Sequence, residues 1–236
     1  MIISGGFSAA YEQLLPEFER TSGITVETGS GASQGKGPET IGAQLARGVA
    51  ADVVILSREG LNELIAAKRI AAGSDVDLAQ VPIGVAVRAG AAKPDVSTVE
   101  AFKRAVTSAR TVAVPASTSG IFLMEEVFPR LGIAGRVNAK LTPRGSGAAA
   151  MVASGDADLA LLPVSEILHA KGVDLAGTIH TEIQLIQIFS TAVAASSKVP
   201  DRARQLIEFL ASDRASAAIK KAGMEPLGKR RGKMPR

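Results

Sequence analysis

The fold class is decided by a stretch at the start of the chain that reads IISGGFSAAY over residues 2–11. A short apolar run enters a Ser/Gly turn, and apolar residues then recur at helical spacing from Tyr11 to Phe18. This pattern predicts a strand that leads directly into a helix. Such a junction presents free backbone N–H groups and the positive end of a helix dipole, so it suits an anion.

Hydroxyl- and glycine-rich turns occur twice more, as TGSGASQGKG over residues 28–37 and as ASTSG over residues 116–120. Each of them also follows an apolar, strand-like segment. Backbone N–H groups at such turns are suited to holding negative charge. The three turns together indicate one anion-binding cradle built from separate loops.

The composition is typical of an α/β protein with buried parallel strands. Of the 236 residues, 46% are apolar but only 3% are aromatic, so the core must be built from Ala, Val, Leu and Ile. With no Trp and one Tyr, stacking on nucleic-acid bases is not expected. The absence of cysteine excludes disulfides, a thiol nucleophile and thiolate metal sites.

The formal net charge of +4 comes from the end of the chain, where five of the residues 229–236 are Lys or Arg. We expect a basic, disordered tail there. The rest of the chain has no basic face, so no nucleic-acid partner is expected. No apolar window is long enough to span a bilayer. Met1 stands directly before the first strand without a secretion leader, which leaves open a cytoplasmic protein or one whose leader has been removed.

Strand and helix patterns alternate along the chain, as in βαβ repeats with parallel sheets. The predicted strands are 1–4, 24–28, 51–56, 83–88, 111–114, 139–142, 158–162 and 183–194. The predicted helices are 8–21, 38–47, 58–67, 97–108, 120–131, 146–154, 200–211 and 213–222.

The order of these units predicts two Rossmann-like α/β lobes joined by two crossing strands. The first lobe would take residues 1–82 and 193–228, with the last helices packed back on it, and the second lobe residues 83–192. Ligand sites in such sheets lie at the carboxyl ends of strands, where all three anion-suited turns fall. We therefore expect a ligand cleft between the lobes that closes on its ligand.

Five segments resemble those of a known family. The most specific is LARGVAADVVI over residues 45–55, and the others are 1–20, 31–33, 119–121 and 148–158. In this order they resemble the periplasmic molybdate-binding proteins of ABC transporters, which are type II solute-binding proteins. The resemblance runs from residue 2 to about residue 227. It implies a type II periplasmic binding protein fold and a periplasmic location.

The ligand positions depart from the molybdate pattern that this resemblance implies. Ser33 matches one serine of the pattern, but Gly6 stands where it has another, and Pro163 stands where it has a tyrosine. Ser119 and Ser146, or Gly145 beside it, fall where the pattern has backbone N–H donors.

The departures resemble a sister branch, called molybdate-binding-like, that includes aconitate isomerases. The segments that carry this likeness are 5–11, 36–39 and 163–168. A small residue at Gly6 and a loop with Lys36 would give room and charge for a ligand larger than molybdate.

The turns and the resemblance together suggest ligand-binding candidates, which are Ser4, Gly5, Gly6, Phe7, Ser8, Ser33, Gln34, Lys36, Arg58, Ser117, Thr118, Ser119, Arg144, Ser146 and Ser165. Several of them also have a plainer interpretation. Ser33 and Ser119 are also suited to capping helices, and Lys36 and Arg58 to a solvated surface. The two histidines, His169 and His180, are expected in surface loops. No metal-ligand spacing and no Walker-type loop is present, so neither a metal nor a cofactor is expected.

Two functions are open. The favoured one is an extracytoplasmic solute-binding protein of an ABC transporter, which holds a molybdate-like oxyanion or a small polycarboxylate and passes it, as a monomer, to a permease. The other is a cofactor-free isomerase of an unsaturated tricarboxylate, resembling aconitate isomerase. That enzyme needs a group to remove and return a proton at carbon, and the candidates are Glu166, Glu39 and Lys36.

Overall fold

The computed structural model describes residues 1–228 and divides into two compact units. Unit 1 contains Met1–Gln80 and the described residues from Ile188 onward, and unit 2 contains Val81–Gln187. The sequence placed these boundaries after residues 82 and 192 instead. The basic tail predicted at 229–236 lies outside the described residues.

The strands of residues 1–228 are short except for two. They are β1 (Ile2–Ile3), β2 (Gly29–Ser30), β3 (Val53–Ser57), β4 (Val76–Arg88), β5 (Val112–Pro115), β6 (Ala139–Thr142), β7 (Leu159–Pro163), β8 (Val173–Thr178), β9 (Ile186–Val193) and β10 (Glu225–Pro226). The long strands β4 and β9 are those on which the chain passes from one unit to the other.

The α-helices of the same residues are α1 (Gly5–Ser22), α2 (Ile41–Ala46), α3 (Arg58–Ala66), α4 (Val99–Ser108), α5 (Thr118–Phe122), α6 (Phe128–Arg130), α7 (Gly145–Ser154), α8 (Val164–Ile167), α9 (Pro200–Leu210) and α10 (Ser216–Lys221). A π-helical segment, Leu123–Val127, joins α5 to α6. Single 3-10 turns occupy Thr181–Ile183 and Asp213–Ala215.

Unit 1 is a mixed sheet with helices on both faces. Strand β1 lies between β2 and β3 and is parallel to both, and β9 pairs antiparallel with β3. On one face, Ile41 of α2 and Leu61 of α3 pack into a core with Val54 of β3. The terminal helices α9 and α10 pack against α1, with the rings of Phe18 and Phe209 5.5 Å apart.

Unit 2 places β5 between the parallel strands β6 and β7, while β4 pairs antiparallel with β7 and β8. One face carries a large apolar core with Phe102 and Phe128. The other face is covered by α7, which packs Ala148, Ala149 and Val152 against small residues of the sheet. Small side chains let this helix approach the strands closely.

Side-chain caps and glycine stops fix several helix ends. Thr40, Ser57 and Thr98 each accept a hydrogen bond from a backbone N–H in the first turn of α2, α3 and α4. Gly23 and Gly155 end α1 and α7 in the left-handed conformation, with φ of 70° and 87°. Both glycine stops were predicted from the sequence.

The strand predicted over 24–28 is absent, because the side chains of α1 take its backbone donors. The N–H of Ile24 donates to Ser22 Oγ at 3.1 Å, and that of Val26 donates to Glu19 Oε1 at 2.8 Å. Pairing with β1 begins only at Gly29. The sequence analysis also missed β8 and β10, and it began α1 at residue 8 although the helix begins at Gly5.

Candidate functional site

In unit 1, the turns that follow β1, β2 and β3 are held together at one edge of the sheet. The N–H of Ser4 donates to the carbonyl of Ile55 at 2.8 Å, and that of Gly31 donates to Ile3 at 3.0 Å. Ser33 Oγ accepts a hydrogen bond from the N–H of Ser57 at 2.9 Å. Two of the three predicted anion-suited turns therefore meet at the carboxyl ends of parallel strands.

Ser4 stands at the amino end of α1 with an unused hydroxyl group. It is 4% exposed, it does not cap the helix through its side chain, and its Oγ has no hydrogen-bond partner. Its carbonyl accepts from Ser8 Oγ at 3.1 Å. A buried hydroxyl without a partner is costly, so one at the start of an 18-residue helix is well suited to an incoming hydrogen-bonding group.

The space beside Gly6, which the sequence analysis expected to serve a larger ligand, is occupied by a side chain of the protein. A Cβ atom at this position would lie 2.6 Å and 2.9 Å from Cε2 and Cε1 of the Phe189 ring. Phe189 is 1% exposed and fills the space itself. The side chain of Phe7, another candidate, is fully buried in the core and leaves only its backbone N–H at this helix end.

Lys36 lies in the loop that follows Ser33. The loop lines a cavity of about 360 Å³ together with α2 and α3, and the cavity also holds Gln34 and Glu63. Gln34 Nε2 donates to Glu63 Oε1 at 2.5 Å, whereas the side chain of Lys36 is exposed. Glu39, the second catalytic candidate, has its carboxyl group against Gly37 of the same loop.

Arg58, one of the predicted ligand-binding residues, forms ion pairs within the protein. Its Nη1 donates to Asp75 Oδ2 at 2.8 Å, and its Nε donates to Asp77 Oδ1 at 2.8 Å, with Nη2 on the same oxygen. Asp77 also accepts from Ser190 Oγ at 2.6 Å. Two carboxylates neutralise the guanidinium, and its planar N–H groups are used in this network.

In unit 2, the loops after β5, β6 and β7 converge in the same way. The N–H of Ala116, after β5, donates to the carbonyl of Thr142 at the end of β6, at 2.6 Å. The third predicted turn, 116–120, lies here, with Thr118 and Ser119 buried. Gly120 must lack a side chain, because a Cβ there would lie 2.8 Å from the carbonyl carbon of Pro115 and closer still to its oxygen.

The Glu166 carboxyl group, after β7, contacts the amino end of α7, after β6. A Cβ atom at Gly145 would lie 2.6 Å from Cδ and 2.8 Å from Oε1 of Glu166. Burial raises the pKa of Glu166 to about 7, against a smaller lowering by the Arg144 cation. Arg144 is the residue that precedes the first turn of α7. The structure thus brings together an acid, a cation and a helix amino end.

Ser165 has the second unused hydroxyl group, and it lies at the unit 2 edge. It is 2% exposed, and its Oγ has no hydrogen-bond partner. Ser146, in the first turn of α7, is exposed. The unit 2 edge therefore collects Ser117, Thr118, Ser119, Arg144, Ser146, Ser165 and Glu166.

The sequence reading overlooked two buried polar side chains on β9. Thr191, in unit 1, and Gln187, in unit 2, are buried, and Thr191 Oγ1 and Gln187 Oε1 have no hydrogen-bond partner. A signal was present, since both place polar atoms that need partners in a mostly apolar strand.

The two histidines lie outside the three predicted anion-suited turns. His169 is exposed in a turn, and His180 Nδ1 accepts from the N–H of Glu182 at 3.3 Å. Within residues 1–228, no group of three or more His, Asp or Glu side chains is arranged to hold a metal ion. Over the same residues, no helix has the length and apolar character to cross a membrane.

Two solved structures share the fold. The periplasmic molybdate-binding protein of Azotobacter vinelandii superposes with a TM-score of 0.71 at 19% identity, covering 94% of this chain and 96% of that one. PEB3 of Campylobacter jejuni, with L-phospholactate bound, gives a TM-score of 0.70 at 14% identity, covering 95% and 97%. This chain therefore has the fold of periplasmic binding proteins, as the sequence predicted.

A curated relative is more similar in sequence. Aconitate isomerase of a Pseudomonas species is 34% identical over 229 residues, which cover 96% of this chain and 87% of that protein. A family model described as bacterial extracellular solute-binding protein matches residues 1–225. The chain therefore belongs to the bacterial extracellular solute-binding protein family.

Proposed function

We propose that this protein binds a small unsaturated polycarboxylate and isomerises it by a proton shift, with Glu166 as the group that moves the proton. The observation that carries the proposal is the Glu166 carboxyl group at the amino end of α7, with a pKa of about 7. The similarity to aconitate isomerase over 96% of the chain supports the same reaction class. A carboxyl group does not help a site that only binds an anion, because its ionised form repels the ligand.

The chemistry needs one group that is both base and acid. The ionised Glu166 carboxyl takes a proton from the CH₂ carbon next to the substrate double bond. The electron pair of that C–H bond forms a new double bond, and the pair of the old one moves towards the far carbon. Glu166 then returns its proton to that carbon, so that atoms and charge balance and no redox cofactor is needed.

The raised pKa suits both halves of this reaction. A carboxyl group with its ordinary pKa is almost fully ionised at neutral pH and is a weak base. With a pKa of about 7, Glu166 is a stronger base and is still ionised in a substantial fraction of molecules. Burial of the carboxyl group is the physical cause of this adjustment.

The neighbouring groups are suited to a polycarboxylate. Arg144 supplies a positive charge at the start of α7, where the helix dipole also favours negative charge. Ser165 supplies a hydroxyl group that lacks a partner. These groups stabilise the negative charge that spreads from carbon onto a substrate carboxylate during proton transfer.

A second function, binding a solute for an ABC transporter, is favoured by the unit 1 edge. There, Ser4 and Ser33 offer neutral hydroxyl groups at the carboxyl ends of parallel strands. A periplasmic location and a permease partner belong to this function. It requires binding without turnover.

Product analysis separates the two functions. We expect the purified protein to convert trans-aconitate to cis-aconitate. NMR in deuterated buffer follows the reaction and should show deuterium on the carbon that receives the proton. Glu166→Gln should lower the rate by about 100-fold or more while ligand binding persists. Glu182→Gln, an exposed acid in the same unit, is the matched control and should keep full activity.

The alternative acid–base candidates are tested in the same assay. If Lys36→Ala or Glu39→Gln abolishes turnover and Glu166→Gln does not, the assignment of the base is wrong. If trans-aconitate raises the melting temperature but neither product nor deuterium exchange appears, the protein is a binding protein and the isomerase proposal fails.

A further inference from the structure

The place next to Gly145 is already occupied by a carboxyl group of the protein. The Glu166 carboxyl lies where any side chain at position 145 would have to be. It thus lies against the first residue of a ten-residue helix, a position that favours an anion. The hydroxyl of Ser165, buried and without a partner, lies in the adjacent residue.

The charged groups around Glu166 are few. The helices and strands with the most contacts to α8 are α7, β7 and β8. Strand β4 also contacts α8 through Gly84, and its ionisable residues, Asp77 and Arg88, lie towards its two ends. Neither α7 nor β7 carries an ionisable side chain. In β8 the ionisable group is Asp174, whose carboxylate accepts from the N–H of Gly90 at 2.9 Å. Arg144 is the charged group that acts on Glu166, so one cation faces one acid here.

A ligand carboxylate that enters this place would bring a second negative charge next to the first. One Arg144 cation balances only one of them. Two carboxylates in contact share a proton, since the free energy of keeping both ionised in a half-buried site is high. A proton bound to Glu166 would compensate the second negative charge.

We propose that an anionic ligand binds at the amino end of α7 together with a proton on Glu166, so that binding takes up one proton. This inference rests on the proposed function only in placing the ligand at the unit 2 edge. The Glu166 carboxyl lies against Gly145, at the helix end where we place a carboxylate of the ligand. Ligand affinity then falls as pH rises above the pKa of the free enzyme.

The same linkage separates two kinetic constants. The pH profile of kcat/KM reports Glu166 in the free enzyme, whose pKa is about 7. The profile of kcat reports Glu166 with the ligand carboxylate beside it, and its midpoint should lie at higher pH. Glu166 is thereby a stronger base in the complex, and the ionised fraction carries out the reaction.

Calorimetry with citrate tests the inference apart from turnover, because citrate has no double bond to move. Titrations near pH 8 in two buffers of different ionisation enthalpy should give an uptake of about 0.5–1 proton per citrate bound. The dissociation constant should rise by up to about tenfold per pH unit above pH 7. Glu166→Gln should bind citrate with no proton uptake and little pH dependence, and Glu182→Gln should behave as the wild type does.

Two results overturn the inference. In the first, citrate does not bind to the wild type or binds without proton uptake. In the second, Glu166→Gln still takes up a proton when citrate binds. Failure of the isomerase proposal looks different: citrate binding still takes up a proton, but trans-aconitate gives no product. Turnover of trans-aconitate with no proton uptake on citrate binding leaves the isomerase intact and removes the linkage.

Discussion

The Arg58 network gives the sharpest test of which cations serve the fold and which serve a ligand. The substitution Arg58→Met keeps the apolar stem and removes the guanidinium. Arg58 is 20% exposed, and Asp75 and Asp77 lose the cation that faces them, while Asp77 keeps its bond from Ser190. We expect unfolding to become easier without any loss of ligand affinity.

The magnitude follows from burial. Removing one partner of a fully buried ion pair costs about 3–5 kcal/mol, and hydrogen bonds to charged groups contribute about 1.5–3 kcal/mol each. Water reaches this site in part and rehydrates the two carboxylates, so we expect a loss of about 2–3 kcal/mol. For a protein of this size the melting temperature should fall by about 4–12 °C.

Thermal melts by circular dichroism, with a citrate titration on the same samples, provide the measurement. Arg204→Met is the control, because Arg204 pairs with Asp201 at 2.7 Å on an exposed helix surface, and it should change the melting temperature by no more than about 2–4 °C. If Arg58→Met melts like the wild type but loses citrate affinity, Arg58 is a ligand residue and the reasoning from its ion pairs is refuted.

Two further substitutions test the unit 2 edge through stability alone. Burial raises the pKa of Glu166 from 4.5 to about 7, so the fold loses stability as pH rises from about 4.5 to 7. The variant Glu166→Gln should therefore be more stable than the wild type by up to about 3 kcal/mol at pH 8 and by almost nothing near pH 4. If the melting temperatures of variant and wild type differ by the same amount at both pH values, the raised pKa is contradicted. Gly120→Ala should cost about 2–4 kcal/mol in urea unfolding because a Cβ meets the Pro115 carbonyl, whereas Gly135→Ala, with open space around it, should stay within about 0.5 kcal/mol.

Much of the fold was predictable because its signals are local. Strand β6 occupies the residues predicted for it, and α7 begins one residue before the prediction and ends where it was expected, at Gly155. Glycine stops and apolar periodicity depend on neighbours a few residues away. The strand predicted at 24–28 failed because Ser22 and Glu19 accept from its N–H groups, a competition that periodicity does not express.

The site was predictable only in its outline. Turns at the carboxyl ends of parallel strands identified Ser4, Ser33 and Ser119 as candidates, because strand order places such turns at one sheet edge. The sequence could not tell that Arg58 is neutralised, since its partner Asp77 belongs to a strand whose start was placed too late. Nor could it tell that Phe189, from a distant strand, fills the space beside Gly6.

Glu166 shows why a residue's chemistry can depend on contacts that sequence spacing hides. At the start of a helix, an acid is expected to stabilise that helix and to stay ionised. Helix α8 is only four residues long, and the carboxyl group lies instead against the amino end of α7, which follows a different strand. Burial there raises its pKa, and the contact exists only because position 145 is glycine. A methyl group at 145 would displace the carboxyl group, so the proposed acid–base function depends on a residue that carries no chemistry of its own.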